Sequence, residues 1–371
     1  MKTTATQTLL FLAIYFLAAW AQAAPKTTIT KFNAPGAGKG QYQGTLATAI
    51  NASGTIAGYY IDSSTRYHSF VRASDGTFTT FQAPHVGSSK YQGTLAYAIN
   101  SSGEIVGFSV DSSNVLHGFV RSSSGTFTTI NAPHAGTKAG QGTSAYGINS
   151  SGEIVGQYVD TAGVAHGFVR SASGTITEFS AKGAGTASGQ GTRVAETDGI
   201  DDSGEVAGQY SDSSGVAHSF LRSSIGTITE FSVSGAGKNS AQGTHATGIN
   251  KSGEISGVYE DSNGVTHSFV RETNGTITKF NVNGAGTIIG EGTYGENISD
   301  AGTVSGQYTD SNDAYHGFER TSGGTVTKIN VPGAGAGTFQ GTIPNDSNVN
   351  GAITGLYIDS NGAYHGFLLT Q

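Results

Sequence analysis

The sequence predicts an all-β fold, a seven-bladed β-propeller of four-stranded antiparallel blades. Three observations predict it: a motif that recurs seven times, four short β-rich runs in each repeat, and chain ends that complement each other. The motif is a histidine that is followed two residues later by phenylalanine and preceded six residues earlier by aspartate. The histidines, His68, His117, His166, His218, His267, His316 and His365, are spaced by 49, 49, 52, 49, 49 and 49 residues. The aspartates are Asp62, Asp111, Asp160, Asp212, Asp261, Asp310 and Asp359.

The third unit shows the four strands that each repeat is expected to form. We predict strands over Thr143–Asn149, Glu153–Asp160, His166–Arg170 and Thr175–Ser180, separated by short Ser/Gly turns that suit antiparallel hairpins. The second strand has mostly apolar or small residues on both faces, which predicts a sheet that is covered on both sides. The linker to the next unit is long enough to run from the outer strand of one blade to the inner strand of the next.

The chain ends predict how the ring closes. The last unit stops at Gln371 after its third strand, and Thr28–Pro35 is a good copy of the missing fourth strand. We therefore expect the first strand to complete the last blade, since a linear solenoid would need polar caps rather than complementary ends. An open repeat array is the alternative.

Composition and the N-terminus indicate an exported protein. Lys2, the apolar run Leu9–Ala19 and the small residues around Gln22 predict a signal peptide over residues 1–23 and a propeller over 24–371, with a retained anchor as the alternative. The chain has no cysteine, so its stability must come from packing. A net charge of −7 without a basic patch argues against nucleic acid. We expect a monomer without a membrane span or cofactor, located in the periplasm or outside the cell.

The repeat resembles the HAF-type extracellular repeats of secreted bacterial proteins. The resemblance rests on an asparagine, then Gly-x-Ile-x-Gly-x-Tyr, then aspartate and His-Gly-Phe-x-Arg, in which the family's His-Ala-Phe core reads His-Gly-Phe or His-Ser-Phe. It covers all seven units and implies a bacterial, exported, propeller-like protein. It implies no reaction.

The seven Asp–His pairs are interpreted as framework. Aspartate at the end of the second strand and histidine at the start of the third are close enough to lock the turn between them, and a catalytic centre rarely needs seven copies. A ring of metal or proton-transfer sites is the alternative, and calcium at Asp261 and Asp359 is disfavoured because too few oxygen ligands recur. We predict no metal. Recurrent arginines such as Arg72 and glutamates such as Glu104 are expected to form ion pairs.

Function is expected where the repeat is broken. The fourth unit has three extra residues between Thr192 and Gly204, and this stretch carries charge. The first-strand regions of other units also carry polar and aromatic residues. Together with the fourth unit, they predict a polar and aromatic site around one mouth of the channel. The candidate binding residues are Arg193, Glu196, Asp198, His245, Tyr294, Glu296, Asn345, Asp346, Tyr97 and Tyr146.

These observations predict a non-catalytic, exported propeller that presents a rigid surface to a glycan or a protein partner. The alternative is a secreted carbohydrate-active enzyme, a hydrolase or lyase, that uses the carboxylates, tyrosines and histidine at the channel mouth. A purely structural role in the cell envelope is a third interpretation. For the candidate site itself, ordinary drift in a surface-facing strand with a bulge is the alternative. The catalytic residues of such an enzyme are not identified by the sequence.

Overall fold

The computed structural model describes residues 27–371, and the expected signal peptide lies outside them. Strand β1 (Thr28–Phe32) comes first and is followed by seven units. Units 1 to 3 comprise β2 (Gly44–Ile50), β3 (Ile56–Ile61), β4 (Tyr67–Arg72) and β5 (Phe78–Phe81), then β6 (Gly93–Ile99), β7 (Ile105–Val110), β8 (Leu116–Arg121) and β9 (Phe127–Ile130), then β10 (Gly142–Ile148), β11 (Ile154–Val159), β12 (Ala165–Arg170) and β13 (Ile176–Phe179). Units 4 and 5 comprise β14 (Gly191–Val194), β15 (Val206–Ser211), β16 (Ala217–Arg222) and β17 (Ile228–Phe231), then β18 (Gly243–Ile249), β19 (Ile255–Glu260), β20 (Thr266–Arg271) and β21 (Ile277–Phe280). Units 6 and 7 comprise β22 (Gly292–Ile298), β23 (Val304–Thr309), β24 (Tyr315–Arg320) and β25 (Val326–Ile329), then β26 (Gly341–Ser347), β27 (Ile353–Ile358) and β28 (Tyr364–Thr370).

Each unit buries the phenylalanine of its repeated motif. In unit 3, Phe168 is opposite Gly156 in the register of β11 and β12, and its side chain is fully buried. A Cβ on Gly156 would lie 2.6 Å from the phenylalanine ring. The second glycine of the Gly-x-Ile-x-Gly-x-Tyr run, or its equivalent, is therefore required by packing, because only a residue without a side chain leaves room for the ring.

The predicted fold class is wrong, because the blades are not separate antiparallel sheets. We expected antiparallel four-stranded sheets, but the strands of residues 27–371 form one continuous 28-stranded sheet. At each of the seven junctions the third strand of one unit makes a parallel bridge to the first strand of the next, as Leu116 does with Gly142. The close approach depends on glycine, because a Cβ on Gly142 would lie 2.1 Å from the carbonyl oxygen of Leu116. The fold is a closed all-β ring of mixed pairing.

The ends of the described chain meet in the seventh unit. Strand β1 pairs antiparallel with β28, so that Phe32 is opposite Gly366, and β2 makes the parallel bridge from Gly44 to Tyr364. Hydrogen bonds continue this closure, since Asn348 Nδ2 donates to the carbonyl oxygen of Asn51 over 3.0 Å. The same asparagine contact joins other neighbouring units.

The arginines that end the third strands do not form the ion pairs that we expected. Among residues 27–371 none of them lies within 4.0 Å of a carboxylate. Instead Arg72 lies over the ring of Phe32 at 4.9 Å, and Arg320 over that of Phe280 at 4.6 Å. Because each ring comes from the fourth strand of the preceding unit, these cation–π contacts join neighbouring units.

Candidate ligand-binding site on the ring axis

A cavity of about 390 Å³ lies on the ring axis, at the end where the first strands begin. We call it the axial cavity. Its wall consists of side chains from the first strands, of residues 194–197 and of the fourth position of three second strands. The lining residues are Leu46, Thr48, Tyr59, Tyr97, Val194, Ala195, Glu196, Thr197, Gln209, His245, Ala246, Thr247, Tyr294, Glu296, Asn345 and Leu356.

Six of the ten predicted binding residues meet in the axial cavity: Tyr97, Glu196, His245, Tyr294, Glu296 and Asn345. The other four lie outside its lining. Arg193 bonds through Nη2 to the carbonyl oxygen of Gly189 over 2.8 Å, and Tyr146 is buried behind Tyr97. Asp198 and Asp346 line a second depression at the opposite end of the ring.

Aromatic rings form one side of the axial cavity. Tyr59 and Tyr97 stack with their ring centroids 6.3 Å apart and an interplanar angle of 29°. Tyr146 packs edge-on against Tyr97 at 4.9 Å, and Phe108 supports both rings from behind. Since each ring is fixed by its neighbours, the wall offers a preorganised apolar surface that carries phenol hydroxyl groups.

Two carboxyl groups and a histidine provide the polar part of the cavity. The pKa of Glu296 is raised to about 7. Burial is the main cause and the neighbouring Glu196 adds to it, whereas a hydrogen bond from Gln307 lowers the pKa. The pKa of Glu196 is also raised by burial, although Arg193 opposes this. Both groups would repel an anionic ligand when ionised, so the cavity suits a neutral or cationic one.

His245 is held neutral on this wall. Its Nδ1 donates to Gln209 Oε1 over 2.7 Å, and burial lowers its pKa to about 4. At neutral pH the ring therefore keeps an unprotonated Nε2 that can accept a hydrogen bond.

The extra residues of the fourth unit close the channel. Strand β14 ends at Val194, and the following residues leave the wall of the ring and cross its axis. The carbonyl oxygen of Asp198 accepts from Ile249 N in unit 5 over 3.1 Å, and its Oδ2 accepts from Asn297 Nδ2 in unit 6 over 2.8 Å. We call residues 195–199 the axial plug. It is the floor of the axial cavity and separates this cavity from the second depression.

A buried carboxyl pair fixes the axial plug to the seventh unit. The carboxyl groups of Asp198 and Asp346 are hydrogen-bonded to each other, and Asp346 Oδ2 accepts from Ile50 N over 2.7 Å. Burial raises the pKa of both groups, and Asp198 raises that of Asp346 further. Two carboxylates in contact cannot both be ionised at low cost, so the pair shares a proton.

The seven Asp–His pairs lie in the turns between second and third strands. In unit 3, Asp160 Oδ1 accepts from the amides of Ala162 and Val164, while Oδ2 lies 3.2 Å from His166 Nε2. The imidazole stacks on Tyr158 with 5.0 Å between ring centroids. The corresponding aspartate–histidine distances in the seven units are between 3.0 and 3.4 Å. No group of three or more His, Asp or Glu residues in 27–371 is arranged to hold a metal ion.

Sequence reasoning missed Tyr59, Gln209 and Leu356 as lining residues. They occupy the same place in their units, the position before the repeated tyrosine of the second strand. Its occupants are Tyr59, Phe108, Gln157, Gln209, Val258, Gln307 and Leu356. A position that varies in size and polarity within an otherwise regular repeat was the available signal.

No protein-family model matches the sequence, and no curated protein matches it. Among solved structures, the chain is similar to the BP39L lectin from Burkholderia pseudomallei, with a TM-score of 0.56 and 12% identity over 87% of this chain and 94% of the lectin. It is similar to a puromycin hydrolase with a TM-score of 0.51 and 10% identity, over 85% of this chain but only 50% of the hydrolase. A lectin from Aleuria aurantia, described as a six-bladed β-propeller with a novel mode of fucose recognition, matches with a TM-score of 0.42 and 13% identity over 87% of this chain and 90% of the lectin.

These likenesses concern the fold. At such low identity they assign no role to this chain. The expected fold class is corrected on the strand pairing itself, to a closed ring in which the 28 strands of residues 27–371 form a single sheet. In residues 27–371 no helix is long and apolar enough to span a membrane.

Proposed function

We propose that this chain is an exported binding protein of the HAF-repeat type, and that its axial cavity holds part of a glycan. One observation carries the proposal: stacked tyrosine rings face hydrogen-bonding groups across a closed-ended cavity of about 390 Å³. A sugar has apolar C–H faces and a rim of hydroxyl groups, so it needs both kinds of surface at once. The BP39L lectin, to which the chain is similar in fold, supports the same class of ligand.

The charges of the cavity narrow the ligand further. Glu196, Glu296 and the neutral His245 accept hydrogen bonds, whereas Asn345 Nδ2 is already used to donate to the carbonyl oxygen of Ala47 over 2.8 Å. A neutral sugar or an amino sugar donates to such acceptors, and a uronic acid would place its negative charge beside these carboxyl groups. We therefore propose a neutral or amino-substituted glycan.

The test is a binding screen of the exported chain, residues 24–371, against neutral, amino and acidic glycans, followed by calorimetry on each glycan that binds. Glu196 is exposed to the cavity and forms no hydrogen bond or ion pair within residues 27–371, so Glu196→Gln leaves the fold intact. We expect this variant to bind about tenfold more weakly, since a charge-assisted hydrogen bond contributes about 1.5–3 kcal/mol.

The matched control is Glu272→Gln, which removes the same charge from an outer turn. It should bind as the unmodified chain does. Equal affinity of both variants, or no binding to any glycan, would contradict the proposal. Release of new reducing or unsaturated ends that is lost in Glu196→Gln would instead establish a carbohydrate-active enzyme.

A further inference from the structure

Exposed aromatic residues are concentrated at three successive junctions of the ring. In each junction a ring from the linker before a first strand packs on a tyrosine at the start of a third strand. Phe339 lies 6.1 Å from Tyr315 between units 6 and 7, Tyr42 lies 6.5 Å from Tyr364 between units 7 and 1, and Tyr91 lies 6.4 Å from Tyr67 between units 1 and 2. The linker rings are 58–63% exposed.

The backbone at these positions does not favour an aromatic residue. Tyr42, Tyr91 and Phe339 have φ angles of 61°, 61° and 58°, in the left-handed region that glycine occupies freely. The equivalent residues of the other units are Gly140, Gly189, Ala241 and Gly290. Three bulky rings thus stand where the repeat otherwise uses glycine or alanine, at a cost of about 1 kcal/mol each or more. Each ring contacts one tyrosine but stays 58–63% exposed, so burial does not explain the strained backbone, and such strain clusters at functional positions.

The exposed rings continue into the axial cavity. Tyr67 packs edge-on against Tyr59 at 5.9 Å, and Tyr59 stacks on Tyr97 in the cavity wall. The pairs at the junctions of units 7 and 1 and of units 6 and 7 take the next two places around the ring, at the bridges from β2 to β28 and from β26 to β24. Exposed rings therefore occur from the junction of units 6 and 7 to that of units 1 and 2, where Tyr67 leads to Tyr59 in the wall of the axial cavity.

We propose that the site takes an extended glycan chain, whose successive sugar residues stack on the rings of Phe339, Tyr42 and Tyr91 while one part enters the axial cavity. This inference rests on the proposed function and names its ligand class, a polymer rather than a single terminal sugar. The linker rings recur once per junction and are separated along the chain by Gly, Ser, Thr, Gln and Lys residues. A polymer that has an apolar face on its sugar residues can contact separate rings, whereas a protein partner needs a contiguous apolar centre.

The experiment compares hexasaccharides with disaccharides of cellulose, chitin, xylan, mannan and β-1,3-glucan by calorimetry. The variant carries Tyr42→Gly, Tyr91→Gly and Phe339→Gly together, which gives these turns the residue that units 3, 4 and 6 use. We expect the unmodified chain to bind hexasaccharides more tightly than disaccharides, and the variant to lose this difference, which is about tenfold or more if each ring contributes about 0.5–1.5 kcal/mol. Thermal stability of the variant should be equal or higher, because glycine relieves the left-handed strain.

Ala241→Gly is the matched control, since it makes the same backbone change at a φ of 69° without removing a ring. It should keep the difference between long and short ligands. The inference is overturned if the triple variant keeps the difference in affinity between hexasaccharides and disaccharides while Glu196→Gln weakens the binding of both. That result leaves the proposed function standing. Absence of binding to any glycan of either length removes the proposed function and this inference with it.

Discussion

At the scale of single residues, the carboxyl group of Glu296 is the most informative. It lies on the wall of the axial cavity beside Glu196, and burial raises its pKa to about 7 from an ordinary value of 4.5. The native state therefore keeps a proton that the unfolded chain has lost between about pH 4.5 and 7. The unfolded state therefore binds fewer protons in this pH interval. As a result, the contribution of Glu296 to the free energy of unfolding falls as the pH rises from about 4.5 to 7.

This sign gives a prediction for Glu296→Gln. The amide cannot ionise, so the variant should gain stability relative to the unmodified chain as the pH rises, by about 1–3 kcal/mol between pH 5 and pH 8. Urea denaturation at both pH values measures the change. Glu272→Gln on the outer turn supplies the baseline, and a difference that is the same at pH 5 and pH 8 would show that Glu296 is not held protonated.

Much of the residue pattern could be predicted from the sequence, because each unit repeats the same local chemistry. The strand ends in unit 3 differ from the prediction by at most one residue, and the turn aspartates accept amide hydrogen bonds as their sequence suggested. Tyr146 occupies the same position in its unit as Tyr97, beside the same kind of register shift, but it packs edge-on against Tyr97 and Phe108 and is buried there. Which of two equivalent tyrosines faces the cavity depends on contacts between units, which the repeat pattern does not contain.

At the scale of elements, the axial plug shows what an insertion can do in a closed ring. The fourth unit is irregular in sequence, and we expected its extra residues to lie around the mouth of the channel. The structure places them across the axis, where Asp198 contacts units 5, 6 and 7. These partners lie 51, 99 and 148 positions further along the chain, at Ile249, Asn297 and Asp346, so local sequence holds no information about them.

The axial plug gives a second prediction about stability. Asp198→Ala leaves the Asn297 amide and the Asp346 carboxyl group without their partner, and we expect it to reduce the free energy of unfolding by about 2–4 kcal/mol. Asp198→Asn keeps an acceptor for Asn297 and gives a donor to Asp346, so it should retain most of the stability. Because the amide replaces the shared proton, the Asn variant should also lose stability less than the unmodified chain as the pH rises.

Asp202→Ala is the control for this pair of variants, because it removes a half-exposed carboxylate that only pairs with the exposed Lys251 and accepts from Ser150 N. It should cost about 1 kcal/mol. Thermal denaturation of all three variants at pH 5 and pH 8 measures these differences. Equal losses for Asp198→Ala and Asp202→Ala would mean that the axial plug is not anchored through Asp198.

At the scale of the whole molecule, closure makes the two ends of the described chain part of one structure. Strand β1 supplies the fourth strand of unit 7, and its Phe32 packs on unit 1, 5.9 Å from Phe78 and beneath Arg72. Phe280 makes the equivalent contact between units 5 and 6, 6.1 Å from Phe318 and beneath Arg320. The closing junction therefore has the same kind of contacts as a junction inside the ring.

This equivalence can be tested by removing the two rings separately. If the closed ring unfolds as one cooperative unit, Phe32→Ala and Phe280→Ala should each lower the free energy of unfolding by about 3–5 kcal/mol, with a single transition and an unchanged dependence on urea. If β1 were a loosely attached end, Phe32→Ala would cost far less than Phe280→Ala, and limited proteolysis would remove residues 27–32 from the unmodified chain. Similar losses for the two variants, together with protection of β1 from protease, are the expected result, because releasing β1 would expose the hydrogen-bonding edge of β28 and the buried ring of Phe70.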